Sequence, residues 1–140
     1  MLDQVEASCE NPTGYYSTEF IVDDEWVARR TILSFLGVDS AFYLWINNHY
    51  IGFSKDSRLP AEFDVGSHLK YGDDSANVLE VIVCRLSDGN LFENQDMWNM
   101  NGIFRDVLLS SYPLPLHIYD FAWDLEIGTT AYYTTQGKAL

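Results

Sequence analysis

Short apolar and β-branched runs, broken at close intervals by turn-forming residues, dominate the chain. The runs cover residues 15–22, 31–36, 41–46, 50–53, 78–84, 106–109 and 116–121. Each is of strand length and rich in side chains that suit a pleated, half-buried surface. Between them stand Asn11-Pro12-Thr13-Gly14, Asp23-Asp24, Gly37, Asn47-Asn48, Tyr71-Gly72-Asp73-Asp74, Asp88-Gly89-Asn90 and Asn101-Gly102. Short strands with turns between them predict an all-β fold, a sandwich or a barrel. Asn47-Asn48 predicts a tight hairpin, because Asn tolerates the positive φ such a turn requires.

Helix is scarce in this pattern. One short stretch is expected at 24–30, with Asp24 and Glu25 at its start and Arg29 and Arg30 at its end, as the helix dipole prefers. Another is expected at 65–69, with Asp64 as its cap. Tyr112-Pro113-Leu114-Pro115 suggests a boundary, since two alternate prolines impose an extended path and remove two donors. Residues 1–112 then form one domain, and 113–140 a linker and the start of something else.

Charge narrows the range of partners. Against 8 Lys and Arg stand 21 Asp and Glu, a formal net charge of −13 on 140 residues. A nucleic-acid binder needs a basic patch to release counterions, and anionic lipid needs the same. Neither partner is expected. The apolar runs fall far short of the roughly 20 residues that span a bilayer. Residues 1–20 hold no Lys or Arg, so no secretory signal is expected and a cytoplasmic setting follows. Cys9 and Cys84 fit no metal-binding spacing and are expected to be unpaired thiols in a reducing compartment. At 47% hydrophobic, the chain has the apolar content for a real core.

Candidate chemistry concentrates between Arg85 and Val107. Carboxylates and amides (Glu93, Asn94, Gln95, Asp96, Asn99) alternate there with Phe92, Trp98 and Phe104. Sugar sites need that mixture, with polar groups for hydroxyls and an aromatic face for the apolar side of a pyranose. Asp and Asn in loops also tie down their own backbone, so both readings stand at this point. Arg58, among Asp56, Glu62 and Asp64, reads as a structural ion pair holding a loop, with anion binding as the sharper alternative. Glu93 and Asp96 do not by themselves make a hydrolytic pair, since a chain this acidic offers many such pairs by chance.

A set of motifs goes further. Glu10-Asn11-Pro12-Thr13-Gly14-Tyr15-Tyr16, Gly37-Val38-Asp39-Ser40-Ala41-Phe42, Leu44-Trp45-Ile46-Asn47, Ile51-Gly52-Phe53, Asp56-Ser57-Arg58-Leu59-Pro60-Ala61-Glu62-Phe63-Asp64, Ser87-Asp88-Gly89, Gln95-Asp96-Met97-Trp98 and Gly102-Ile103-Phe104-Arg105-Asp106-Val107 follow one another along residues 10–107. In these the chain resembles the N-terminal sugar-binding domain of glycoside hydrolase family 2, in its lac-type bacterial β-galactosidase branch. The resemblance implies a jelly-roll β-sandwich of galactose-binding type. It implies catalytic glutamates on a barrel further along the polypeptide, so this chain alone is expected not to catalyse. It implies that Asp96 contacts galactosyl hydroxyls and a monovalent cation, Na⁺, with Trp98 a lesser candidate for sugar contact. Mg²⁺ is expected elsewhere in the parent enzyme.

Departures accompany the resemblance. Asn48 stands where the family usually has Gly, Leu86 where it has Trp, Asn94 where it has Asp, and Asn101 where it has Ser. The family domain also usually has a substantial segment before Glu10, so the chain is expected to be a fragment that begins part-way into its domain. Residues after Pro115 would then open an immunoglobulin-like domain. The resemblance implies galactosides, the catalytic barrel and further copies of the chain as partners. A free-standing carbohydrate-binding module, stacking sugar on Trp98 or Trp45, and a split subunit docking with a barrel-bearing partner are the alternatives.

Overall fold

The structure, a computed structural model, describes residues 11–93, 95–118 and 120–124, and the backbone of 134–136. It is an antiparallel β-sandwich. The strands are β1 (Thr13–Phe20), β2 (Arg29–Phe35), β3 (Val38–Asp39), β4 (Ala41–Ile46), β5 (His49–Ser54), β6 (Ala61–Asp64), β7 (Asn77–Cys84), β8 (Gly102–Ile103), β9 (Val107–Pro113), β10 (Ala122–Asp124) and β11 (Thr134–Gln136). One sheet has the order β1-β7-β4-β5 and the other β6-β2-β9. The pairs β3-β8 and β10-β11 form two further ribbons.

The core lies between the two larger sheets. Alternation along β7 buries Asn77, Leu79, Val81 and Val83 and leaves the residues between them half-exposed, as a period of two dictates. Phe42, Leu44 and Ile46 of β4 meet Leu33 and Phe35 of β2, with Phe63 of β6 packed against them. Phe35 and Phe42 lie 4.8 Å apart between ring centroids. Between the outer edges of β1 and β9 the sandwich is less tightly closed. An apolar cleft of about 440 Å³ opens there, lined by Phe20, Leu33, Phe35, Leu79, Val81 and Leu109 among others.

The hairpin at Asn47-Asn48 forms as expected, with φ of 52° and 66° and Ile46 paired to His49. Asn47 does more than turn. Its side chain donates to the His68 carbonyl at 2.9 Å and to Asn77 Oδ1 at 2.8 Å, and it accepts from the Val78 amide. Asn77 in turn holds Lys70, accepting from its N–H and donating to its C=O, both at 2.8 Å. Two loops are thereby stitched beneath the sheet.

Both expected helices shrink to single 3-10 turns. The first is Asp24–Trp26, capped by the Asp23 carboxylate, which accepts from Glu25 N at 2.8 Å. Arg29 and Arg30 leave it for β2, where they pair with Pro113 and Tyr112. The second is Gly66–His68, preceded by Val65 in the cap position with no side-chain capping bond. Asp64 does not cap it. It ends β6 and binds Arg30 Nε at 3.0 Å instead. Conversely, α1 (Asp88–Glu93) occupies what reads as a turn. Ser87 starts it, its Oγ accepting from Asn90 N. The expected strand at 116–121 does not form at its described positions, and the chain enters β10 only at Ala122. Cys84 is a free, half-buried thiol, while Cys9 lies outside the described residues.

Candidate functional site

Residues 85–107 form a long excursion between β7 and β9 whose base is held at three places. Ser57 holds the end of α1. Its hydroxyl donates to Glu93 Oε2 at 2.5 Å, and its backbone N–H lies 3.3 Å from both oxygens of that carboxylate. Arg58 holds the middle, where Nη2 donates to the Trp98 carbonyl at 2.7 Å. Asp39 holds the return. It is 1% exposed, and its Oδ2 accepts from Asn101 N at 3.1 Å. Ser57 Oγ also reaches Asp39 Oδ1 at 3.4 Å, so the first and third anchors meet at one hydroxyl.

The anchors have their own support. Asp56 folds the preceding turn, its Oδ1 accepting from the amides of Arg58 and Leu59 at 3.0 Å each. The guanidinium groups of Arg58 and Arg105 both lie over the Phe104 ring, at 5.7 and 5.2 Å from its centroid. Arg105 donates to the carbonyls of Leu36 and Arg58. Phe104 comes this close to Gly37 only because that residue lacks a side chain; a Cβ there would lie 2.8 Å from the ring. At Asn101-Gly102 both residues take positive φ, 55° and 74°, which turns the chain into β8.

Arg58 is thus structural, but not through the acids around it in sequence. It serves a backbone carbonyl and an aromatic ring. The residues that clamp the excursion, Asp39, Ser57 and Glu93, escape sequence reasoning, being separated by 18 and 36 positions.

The tip is the opposite of its base. Gln95, Asp96, Met97, Trp98, Asn99 and Met100 are all exposed. Trp98 is 85% exposed, although its own carbonyl is held. Leu91 and Phe92 of α1 are also exposed. Asp96 thus presents an exposed carboxylate without a hydrogen-bond partner among the described residues, in a stretch of chain that also exposes Met97, Trp98 and Met100. Among the described residues no three His, Cys, Asp or Glu side chains converge where a metal ion would sit. For a hard cation, which takes about six oxygens or more, Asp96 is one ligand and not a site.

One charge pair fixes the start of α1. Lys55 Nζ donates to Asp88 Oδ2 at 2.7 Å. That hydrogen bond, and then the ammonium charge, hold the Asp88 carboxyl below the usual carboxylate range. A depressed carboxylate contributes stability above the ordinary carboxylate pKa and loses it as pH falls through the lowered value. Lys55→Met is expected to return Asp88 toward an ordinary carboxylate pKa, read by NMR titration of its side-chain carbon. An unmoved titration would show that the pair does not persist in solution.

The sandwich has counterparts in known proteins. Residues 1–113 match the family described as glycosyl hydrolases family 2, sugar binding domain. A β-galactosidase of Pectobacterium atrosepticum is 52% identical over 112 residues, and one of Priestia megaterium is 49% identical over 112. These matches cover 79% and 80% of the chain, but 10% of each relative. Among solved structures, a β-glucuronidase from an uncultured Clostridium species superposes with a TM-score of 0.70 at 24% identity, over 86% of this chain and 22% of that one. The Bacteroides uniformis β-glucuronidase gives 0.66 at 23%, over 74% and 12%. At such identities these likenesses concern the fold alone, and the fold they share is this sandwich. The chain therefore belongs to the sugar-binding domain family of the family 2 glycosyl hydrolases.

Proposed function

We propose that this chain is the sugar-binding and scaffold domain of a cytoplasmic β-galactosidase that hydrolyses terminal β-galactosides. The jelly roll, residues 1–112, would place its 95–100 tip in an active site whose catalytic glutamates lie on a barrel outside this chain. Asp96 accepts from galactosyl hydroxyls there and gives one oxygen to a monovalent cation, Na⁺, whose other ligands come from elsewhere. Trp98 covers an apolar face of the sugar or of the barrel wall. Mg²⁺ belongs to the rest of the enzyme. Residues 113–140 link to a following immunoglobulin-like domain, a reading supported by the β10-β11 ribbon, which among the described residues pairs with neither sheet. Self-association of the parent enzyme belongs to the same proposal.

One observation carries this reading. A loop clamped at its base by Ser57, Arg58 and Asp39 holds Asp96, Met97, Trp98 and Met100 out in water. Unanchored apolar loops collapse onto their own domain; an anchored one is shaped for another surface.

A chimera tests it, with this chain replacing the equivalent 112 residues of the Pectobacterium relative. Turnover of a chromogenic galactoside is expected from the chimera and none from the 140-residue chain alone. Asp96→Asn in the chimera is expected to lower kcat/KM by about 10²-fold or more, the scale of a lost transition-state contact. Full activity of the Asp96→Asn chimera would remove Asp96 from the site, and turnover by the isolated chain would overturn the division of labour.

A further inference from the structure

An antiparallel sheet with one face on a core ordinarily turns a polar face to water. The four-stranded sheet turns out a largely aromatic one, with Ser17 and Glu80 among the rings. Since Leu79, Val81 and Val83 of β7 point inward, Glu80, Ile82 and Cys84 point out. Strand register carries this outward set across the sheet. Tyr15, Ile82, Tyr43 and Phe53 form one row, and Ser17, Glu80, Trp45 and Tyr50 the next. A register shift between Leu44 and Trp45 brings Tyr50 and Phe53 to the same face.

The rings form a continuous group. Tyr43 and Phe53 lie 4.7 Å apart, Trp45 and Tyr50 5.6 Å, and Tyr43 and Trp45 6.4 Å between centroids. Tyr50 is 55% exposed and Tyr15 63%, Tyr43 and Phe53 are also open to water, and Trp45 is half-buried. In their midst sits Glu80, whose Oε1 accepts from the Tyr15 hydroxyl at 2.5 Å.

That carboxylate decides what can cover the face. A protein surface laid here would strand Glu80 beneath it, and the centres of interfaces are depleted of charge because desolvation is costly. An anionic ligand meets Glu80 and a chain of net charge −13. A neutral polyol meets neither obstacle. Its hydroxyls donate to the free oxygen of Glu80, and the CH face of its ring covers the aromatics. The interplanar tilts of 34–58° make the surface stepped, so it suits one or two pyranose rings rather than a flat polymer face.

We propose that the outer face of the β1-β7-β4-β5 sheet is a second carbohydrate subsite. Trp45 and Tyr50 stack a neutral pyranose there, and Glu80 accepts its hydroxyls. The subsite shares no residue with the 95–100 tip, so it stands or falls independently of the role proposed for Asp96.

Lactose titrated into the whole chain, followed by NMR and calorimetry to about 100 mM, tests this. Saturable binding with a Kd of the order of millimolar is expected. Trp45→Ala and Tyr50→Ala are each expected to weaken it about tenfold, near the contribution of one stacked ring. Trp45→Phe keeps a ring and the fold, and is expected to keep most of the binding. Val27→Ala, at an exposed position between β1 and β2 and off this face, is expected to change it less than about twofold. No saturation by about 100 mM overturns the subsite. So does binding that survives Trp45→Ala but is lost with Trp98→Ala. A wild-type dimer dissociated by Tyr50→Ala, seen by sedimentation, would assign the face to a second copy and overturn it as well.

Discussion

Phe42→Ala is expected to destabilise the chain by about 3–5 kcal/mol, the range for truncating a fully buried phenylalanine. Phe42 is 1% exposed and sits at the centre of an aromatic trio. Phe35 packs at 4.8 Å from one sheet and Phe63 edge-on at 6.0 Å from its neighbouring strand. Neither ring can close the gap, because each is fixed by its own strand pairing. Most domains hold only about 5–15 kcal/mol in total, so the loss removes about a fifth of it or more. At roughly 3–4 °C per kcal/mol for a domain of this size, the melting temperature falls by about 10 °C or more. Urea unfolding followed by tryptophan fluorescence measures it. Phe42→Leu keeps most of the volume and is expected to cost about 1.5 kcal/mol or less. Equal losses for the two variants would mean that the ring itself, and not the volume it fills, carries the contribution.

Asn77→Ala is expected to cost about 3–5 kcal/mol by a different route. Asn77 is wholly buried, and its amide satisfies the N–H and the C=O of Lys70 together with one proton of Asn47. Alanine leaves those part-buried groups without their partner, at up to about 1–3 kcal/mol each, partly relieved by relaxation and by water. Asn77→Asp separates hydrogen bonding from size. Ionised, it sets an oxygen against the Lys70 carbonyl and buries a charge; protonated, it donates there as Asn does. Its folded pKa therefore lies above its unfolded one. The stability it contributes is present below the unfolded carboxylate pKa and is lost as pH rises through the folded value. The gap between Asn77→Asp and wild type, measured at each pH, is expected to narrow toward about pH 4. A constant gap would place the carboxylate in contact with water.

The two variants also show what was legible beforehand. Residues 41–46 and 78–84 announce themselves as strands, because local alternation is enough to bury one face. The hairpin at Asn47-Asn48 is legible for a similar reason, as its backbone demand falls on two adjacent residues. What Asn47 does for Val78 and His68 is not, since those partners lie 31 and 21 positions away. Residues 61–64 hide as a strand inside a charged segment. Their pairing with 32–35 of β2 defines β6, and short strands owe their existence to such neighbours. Asp88-Gly89-Asn90 reads as a turn from its residue types, and becomes helix because Ser87 caps it. Ser87, three positions before Asn90, is the residue in the sequence that signals it. The excursion at 85–107 was recognisable as unusual from composition, and its family from motif order. Its clamp was not, because Asp39, Ser57 and Glu93 meet only after two sheets have closed.

The clamp has one more consequence. Two of its three bonds to the excursion reach backbone atoms, the Trp98 carbonyl and the Asn101 amide, and the third grips Glu93 before the tip begins. The shape of 95–100 is therefore enforced from outside its own side chains. Those positions can be rewritten without asking the fold for anything, so a specificity library confined to them should express as well as the parent. The vocabulary of the tip and the grammar of the scaffold are kept by different residues.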